Sequence, residues 1–209
     1  MKTIIKKIKS FIDTNLARKR NRHLKNKDFT IISDNCWGGF VCQHLDLPYN
    51  SPFIGLFLFS PDYIKLLSDL RGYLSMNLKF ITPNESKYSS ELDPNSPLAN
   101  YPIGLLGDIE IHFLHYSSQS EAQEKWERRV NRVNYDNLIV KFCDRDLATD
   151  KLISDFFSLP YKNKVFLSAK NYDDKSCIKL KNEHGLFIEN EWKNYKITNN
   201  PLKHINSFF

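Results

Sequence analysis

The chain has 209 residues, 41% apolar and 26% charged, a globular composition that leaves room for one full core and excludes a disordered or fibrous chain. Its four cysteines, Cys36, Cys42, Cys143 and Cys177, form no CxxC pair, so reduced thiols in a cytoplasmic protein are expected rather than a disulfide or zinc scaffold. The net charge of +6 sits at one end: residues 1–28 carry ten Lys/Arg against Asp13 and Asp28, and the remainder holds twenty basic and twenty-two acidic residues.

That basic arm is also patterned. Ile4, Ile5, Ile8, Phe11, Ile12 and Leu16 recur at helical spacing, with Lys2, Lys6, Lys9 and Asp13 largely outside the stripe. Residues 1–22 would suit the anionic face of a membrane; packing of the stripe on the main domain is the competing expectation. No apolar run reaches the roughly 20 residues that span a bilayer, and a secretory signal is not recognisable. Nucleic acid is not an expected partner, because no binding module is present and the rest of the chain is not basic.

Beyond the arm, residues 29–209 read as a single domain in which strands alternate with helices. Phe29–Ile32 is a predicted strand, and Ser33-Asp34-Asn35 ends it. Gly38-Gly39 allows a tight turn into a helix over Phe40–Leu45. A strand follows over 54–59, and Ser60-Pro61 opens a helix to about Ser75. Leu78–Ile81 reads as a strand. The Pro/Asn/Ser-rich stretch 83–102 is long enough to suggest a lid or an insert. Ile109–Leu114 is the next strand, and Ser118-x-x-Glu121 caps a helix to about Val133. Leu138–Phe142 is a strand, Thr149–Leu159 a helix and Lys164–Ser168 a strand; from Cys177 the tail mixes a strand with a weak helix. This order predicts an α/β fold, a layered domain with a largely parallel or mixed central sheet flanked by helices.

Ligands of such sheets bind at the carboxyl ends of the strands. Cys36, His115 and Asp144 each follow a predicted strand, and together they would form a thiol nucleophile, a base and an orienting carboxylate. The helix N-terminus beside Cys36 would lower its pKa; a small buried hydrophobe is the competing reading. His112 and His44 are alternative bases. Asp144 and Asp146 form an Asp-x-Asp pair that could hold Mg²⁺ or Mn²⁺ against the diphosphate of a nucleotide sugar. On the helix from Ser118, Ala122, Trp126, Val130 and Val133 make a buried stripe, and Arg128 and Arg132 share another face that could grip phosphate or serve the helix dipole alone.

Four ordered segments carry a resemblance: Ile-Ile-Ser-Asp-Asn-Cys-Trp-Gly-Gly (31–39), Leu-Pro-Tyr-Asn-Ser-Pro-Phe-Ile-Gly-Leu (47–56), Ile-His-Phe-Leu-His-Tyr (111–116) and Trp-Glu-Arg-Arg-Val-Asn-Arg-Val-Asn (126–134). Over about residues 25–200 the chain resembles a bacterial family of unknown function whose members are commonly labelled "exopolysaccharide biosynthesis protein". Members typically read Ser-Asn-Asn-Cys where this chain has Ser33-Asp34-Asn35-Cys36. The resemblance implies an α/β fold and a role in surface-polysaccharide assembly. Its motif residues are Cys36, Trp37, Gly38, His115, Trp126, Arg129 and Asn134. The Asn-Cys corner is also similar, more loosely, to cysteine-dependent acetyltransferases that decorate capsular sugars beside coenzyme A. The resulting expectation is an acyltransferase with Cys36, His115 and Asp144 as catalytic residues. Trp37, Gly38, Gly39, Trp126, Arg128, Arg129 and Asn134 would bind substrate, acyl-CoA would be the donor, and a sugar or lipid-linked saccharide the acceptor. The alternatives are a metal-dependent glycosyltransferase using Asp144 and Asp146, and a non-catalytic assembly factor docked at the inner face of the membrane.

Overall fold

The computed structural model describes residues 2–92, 101–181, 183–185 and 187–209, with side chains from Phe11 onward. In chain order the elements are α1 (Lys2–Arg22), β1 (Thr30–Ser33), α2 (Trp37–His44), α3 (Ser60–Ser68), α4 (Leu70–Leu74), β2 (Lys79–Ile81), β3 (Ile103–Leu106), β4 (Ile109–His112) and α5 (Gln119–Val130). They continue with β5 (Leu138–Cys143), α6 (Asp150–Ser158), β6 (Asn163–Ser168), β7 (Cys177–Lys179), α7 (Glu191–Thr198) and α8 (Pro201–Asn206). Four strands make a parallel sheet in the order β1-β5-β6-β7. A second, antiparallel sheet has the order β2-β3-β4. The fold is the expected mixed α/β arrangement.

Because side chains alternate across a strand, the parallel sheet splits the core in two. Ile32, Val140, Phe142 and Phe166 face a cluster completed by α3, α6 and the antiparallel sheet. Ile31, Ile139, Cys143, Val165 and Leu167 face the other way, onto α2, α7 and α8. Strand β5 is covered on both faces, which is why its sequence is an almost unbroken apolar run. The exception is Lys141, fully buried between Ile139 and Cys143 on the α2/α7 face.

Several predicted elements change. The strand expected over 54–59 is not one: only Phe57 pairs, through a bridge to His112. Gly55 turns the chain there at φ +74°, a conformation L side chains rarely adopt, and an added Cβ would lie 3.3 Å from His115. The helix expected to run to Ser75 breaks at Asp69, where φ is −146°, and the Asp69 carboxylate then caps α4 through Gly72 N (3.0 Å). Strand β3 lies beyond the stretch read as a loop. Part of that stretch is pinned, since the buried Glu110 accepts from Ser86 Oγ and from Lys87 N at 2.8 Å; residues 93–100 lie outside the described residues. Strand β4 belongs to the antiparallel sheet, so His115 does not follow a strand of the parallel one.

Candidate functional site

β1 and β5 lie side by side and parallel, so their carboxyl ends bring the β1–α2 turn (Asp34, Asn35, Cys36) against the β5–α6 turn (Cys143 to Asp146). The first residue of α7, Glu191, closes over them. Lys141 reaches this point from within the sheet. Its Nζ donates to Asp34 Oδ1 (2.8 Å), Asn35 Oδ1 (3.2 Å) and Glu191 Oε2 (2.7 Å). An ammonium has three donors, and all three are used. Burial opposes the charge, but Asp34, Cys143 and Glu191 hold the Lys141 pKa above its ordinary value. Asp34 Oδ2 accepts from Cys143 N (3.1 Å) and Sγ (3.0 Å). Burial pushes the Asp34 carboxyl up to about 6 against the pull of Lys141.

Two clefts meet above this cluster, and both are lined by Cys36 and Phe40. The larger, about 560 Å³, presents Trp37, Phe57 and Trp192 together with Asn35, Glu191, Asp146 and Arg145. The smaller, about 350 Å³, presents His115, Lys125 and Arg129 with Gly39, Gln43 and Tyr116. One lobe is aromatic and carboxylate-bearing; the other is cationic. A third cavity of about 500 Å³ lies at the amino edge of the parallel sheet, beside Leu138 and Asn163, and holds none of the expected site residues.

Cys36 stands where the lobes join, but not as an activated thiol. Its pKa is pushed up to about 11, mainly by burial and then by Glu191. The expectation of a lowered pKa fails for a local reason. Trp37 N donates to Asn35 Oδ1 (3.0 Å) and Gly38 N to Ser33 Oγ (3.3 Å), so these first-turn amides of α2 serve other acceptors. The thiol instead points a weak hydrogen bond at Leu56 O (3.9 Å).

The other expected residues divide. His115 shares the cationic lobe with Cys36, whereas Asp144 lines neither lobe. Asp144 Oδ2 accepts from Ser168 Oγ (2.6 Å) and Ala169 N (2.8 Å), and Oδ1 from Ile188 N (3.1 Å). It ties β6 to the segment before α7, whereas Asp146 lines the larger lobe. Trp37 and Gly39 border the clefts. Gly38 brings α2 close to β1, since a Cβ would lie 2.8 Å from Ser33 Oγ and 3.1 Å from Ile31. Trp126 is core, edge-on to Phe53 and Phe113. Asn134 braces the amino end of β1: its backbone N–H donates to Thr30 Oγ1 (2.9 Å) and its Nδ2 to Asp28 O (3.3 Å). Arg128 is exposed and pairs with Glu124 one turn back (3.3 Å).

Its neighbour Arg129 is different. It is 7% exposed, donates to Tyr116 Oη (2.6 Å) and lies over the Tyr49 ring at 5.4 Å. No carboxylate pairs with it among the described residues. Of the alternative bases, His44 sits at the far end of α2 against Trp192. His112 is fully buried among Phe57, Phe59 and Tyr101, and burial lowers its pKa to about 4.

Residues 7–208 match the family described as "Domain of unknown function (DUF1919)". The chain belongs to that family. An uncharacterized protein of Haemophilus influenzae is 40% identical over 167 residues, which cover 80% of this chain and 72% of that protein. In this DUF1919 domain the residues that sequence reading missed are Lys141, Glu191, Trp192 and Arg145. Only Lys141 carried a signal, as the one charge inside an apolar strand. No helix among the described residues is long and apolar enough to cross a membrane.

Proposed function

We propose that the protein is a transferase of exopolysaccharide synthesis that acts on a phosphorylated saccharide. In this reading the phosphate binds in the cationic lobe and the sugar in the aromatic–carboxylate lobe. The carrying observation is Arg129: a guanidinium removed from water without an anion is costly, and its planar fork suits a phosphate. Lys125 and His115 line the same lobe. Aromatic faces with carboxylates and an amide, as in Trp37, Trp192, Glu191, Asp146 and Asn35, are the chemistry that grips a sugar ring and its hydroxyls. The motif resemblance supplies the exopolysaccharide part of the reading.

The reaction these groups suit is glycosyl transfer. The bond between sugar and phosphate breaks, the bonding pair leaves with the phosphate, and Arg129 and Lys125 stabilise the charge that develops there. The acceptor hydroxyl attacks the sugar carbon and gives its proton to Asp146 or Glu191, the carboxylates that line the sugar lobe. Acyl transfer through Cys36 is disfavoured because the thiol is held protonated, and a metal shared by Asp144 and Asp146 because both Asp144 oxygens are taken by Ser168, Ala169 and Ile188.

The test is a thermal-shift panel of UDP- and GDP-sugars, glucose 1-phosphate, coenzyme A and acetyl-CoA on the wild type and on Arg129→Gln and Lys125→Ala. A ligand at about 100 times its dissociation constant adds roughly 2.7 kcal/mol, a rise of roughly 5–10 °C for a chain of this size. Sugar phosphates or nucleotide sugars are expected to raise the melting temperature of the wild type and to do so least in Arg129→Gln. A rise with coenzyme A species alone, a response indifferent to both substitutions, or no response from any sugar phosphate would overturn the reading.

A further inference from the structure

Among its described side chains, helix α1 meets the body of the protein through one side. Ala17 is buried on that side, as is Leu24 just beyond the helix. Arg20 Nη1 donates to His44 O (3.3 Å), and Asn21 Nδ2 donates to Leu45 O and Asp46 O (each 3.0 Å). At about 100° per residue, Ala17, Arg20 and Asn21 share a face from which Phe11 and Ile12 point away, with Leu16 at its border. Those three apolar side chains are 69%, 50% and 43% exposed. Over Phe11, Ile12 and Leu16 the stripe does not pack on the domain.

The same spacing places Ile4, Ile5 and Ile8 on the line of that stripe, their side chains lying outside those described. Lys2, Lys7 and Lys9 fall beside the stripe, and the exposed Arg18, Lys19 and Arg22 close its carboxyl end. Asp13 is the helix's one acid. The +8 charge of residues 1–28 contrasts with −2 for the rest of the chain, so attraction to an anionic surface acts on this helix and not on the body behind it.

We infer that α1 docks the protein onto an anionic phospholipid surface, with Phe11, Ile12 and Leu16 at the boundary between headgroups and acyl chains and the basic residues on the headgroups. A nucleic-acid backbone would use the charge but leave the apolar stripe in water. The docking is independent of what the cleft binds. The last turn of α1 is fastened to the end of α2 opposite Cys36, and the cleft is therefore one short helix from the docked face.

The experiment is co-sedimentation of the full chain with phosphatidylcholine vesicles, with and without phosphatidylglycerol, beside Phe11→Ser/Leu16→Ser and Lys7→Glu/Lys9→Glu variants. Because the two apolar side chains are exposed, circular dichroism and melting temperature should not change. Binding is expected only with phosphatidylglycerol, should weaken with added salt, and should fall about tenfold or more in the Phe11/Leu16 variant. Equal binding to neutral vesicles, binding unaffected by the Phe11/Leu16 change, or no sedimentation would overturn the inference. So would RNA binding tighter than vesicle binding and indifferent to the stripe, or a dimer in solution that the Phe11/Leu16 variant dissolves while vesicles remain unbound.

Discussion

Two charged clusters lie inside the described part of this protein, and they are built from similar parts to different ends. At the carboxyl edge of the parallel sheet, Lys141 is fully buried and holds Asp34, Asn35 and Glu191. Beneath the antiparallel sheet, Lys87 pairs with the buried Asp62 (2.6 Å), whose other oxygen accepts from Glu110 N (2.7 Å). The Lys87 side chain remains 43% exposed, and among the described residues that cluster borders no cleft. The first cluster opens onto the meeting point of two lobes through Asn35 and Glu191; the second pins the 83–92 segment. Charge inside a protein therefore marks a site only where a cavity adjoins it, and the depth of the lysine sets what removing it costs.

The comparison can be broken most sharply at the lysines. Lys141→Met should cost about 3–5 kcal/mol, because Asp34 and Glu191 would stay buried without their cation. Urea denaturation measures this, and a loss under about 1 kcal/mol would mean that the cluster is wetter than its burial indicates. The thiol above the cluster should be sluggish. A shift from 9.0 to about 11 leaves about a hundredfold less thiolate at neutral pH, and iodoacetamide labelling of Cys36, followed by mass spectrometry, should be slower than that of a free thiol by that order. Rapid labelling would restore Cys36 as a nucleophile.

The two clusters should also answer pH with opposite sign. His112, beside Glu110, is lowered from 6.5 to about 4, so the unfolded chain takes up a proton that the native chain refuses. The stability owed to its neutral ring is complete above 6.5 and is lost as pH falls towards 4. Asp34 is raised from 3.8 to about 6, so the native chain holds its proton more tightly than the unfolded one, and its contribution drains away as pH rises across that interval. Denaturation series on His112→Leu and Asp34→Asn should flatten these opposite slopes, and equal slopes in the variants and the wild type would refute both assignments.

Smaller effects refine the picture. Gly38→Ala should cost about 1–3 kcal/mol by driving a methyl group into Ser33 and Ile31. Gly39→Ala meets only Ile54 at 3.6 Å and should be neutral, or stabilising by up to about 1 kcal/mol, while narrowing the cationic lobe. Calorimetric melting of the pair should separate them by several degrees. Lys87→Met should cost less than Lys141→Met, about 1–3 kcal/mol, since it strands one buried carboxylate, Asp62, which keeps the Glu110 N–H.

How much of this could be read beforehand depended on distance along the chain. Strands β1, β5 and β6 and helices α5 and α6 were legible because apolar periodicity and the Ser118 and Thr149 caps are local signals. The 54–59 segment misled because Ile54, Leu56 and Leu58 alternate like a strand, yet they are buried by tertiary packing while Gly55 bends the backbone. Arg128 and Arg129 look equivalent in sequence. A rotation of about 100° puts one in solvent beside Glu124 and the other in the core against Tyr116.

By itself the sequence determined the α/β layering, the basic amphipathic arm and the Asn35–Cys36 corner at a strand end, because each is encoded within about a dozen neighbouring residues by periodicity, charge and turn chemistry. Only the tertiary structure decided that Cys36 is held protonated, that Asp144 is a brace, that Arg129 is buried with no carboxylate partner among the described residues and that Phe11, Ile12 and Leu16 face water. Those outcomes rest on burial and on partners far away along the chain: Glu191 reaches Lys141 and Asn35 across 50 and 156 residues, and desolvation is a property of the packed molecule that no local pattern contains.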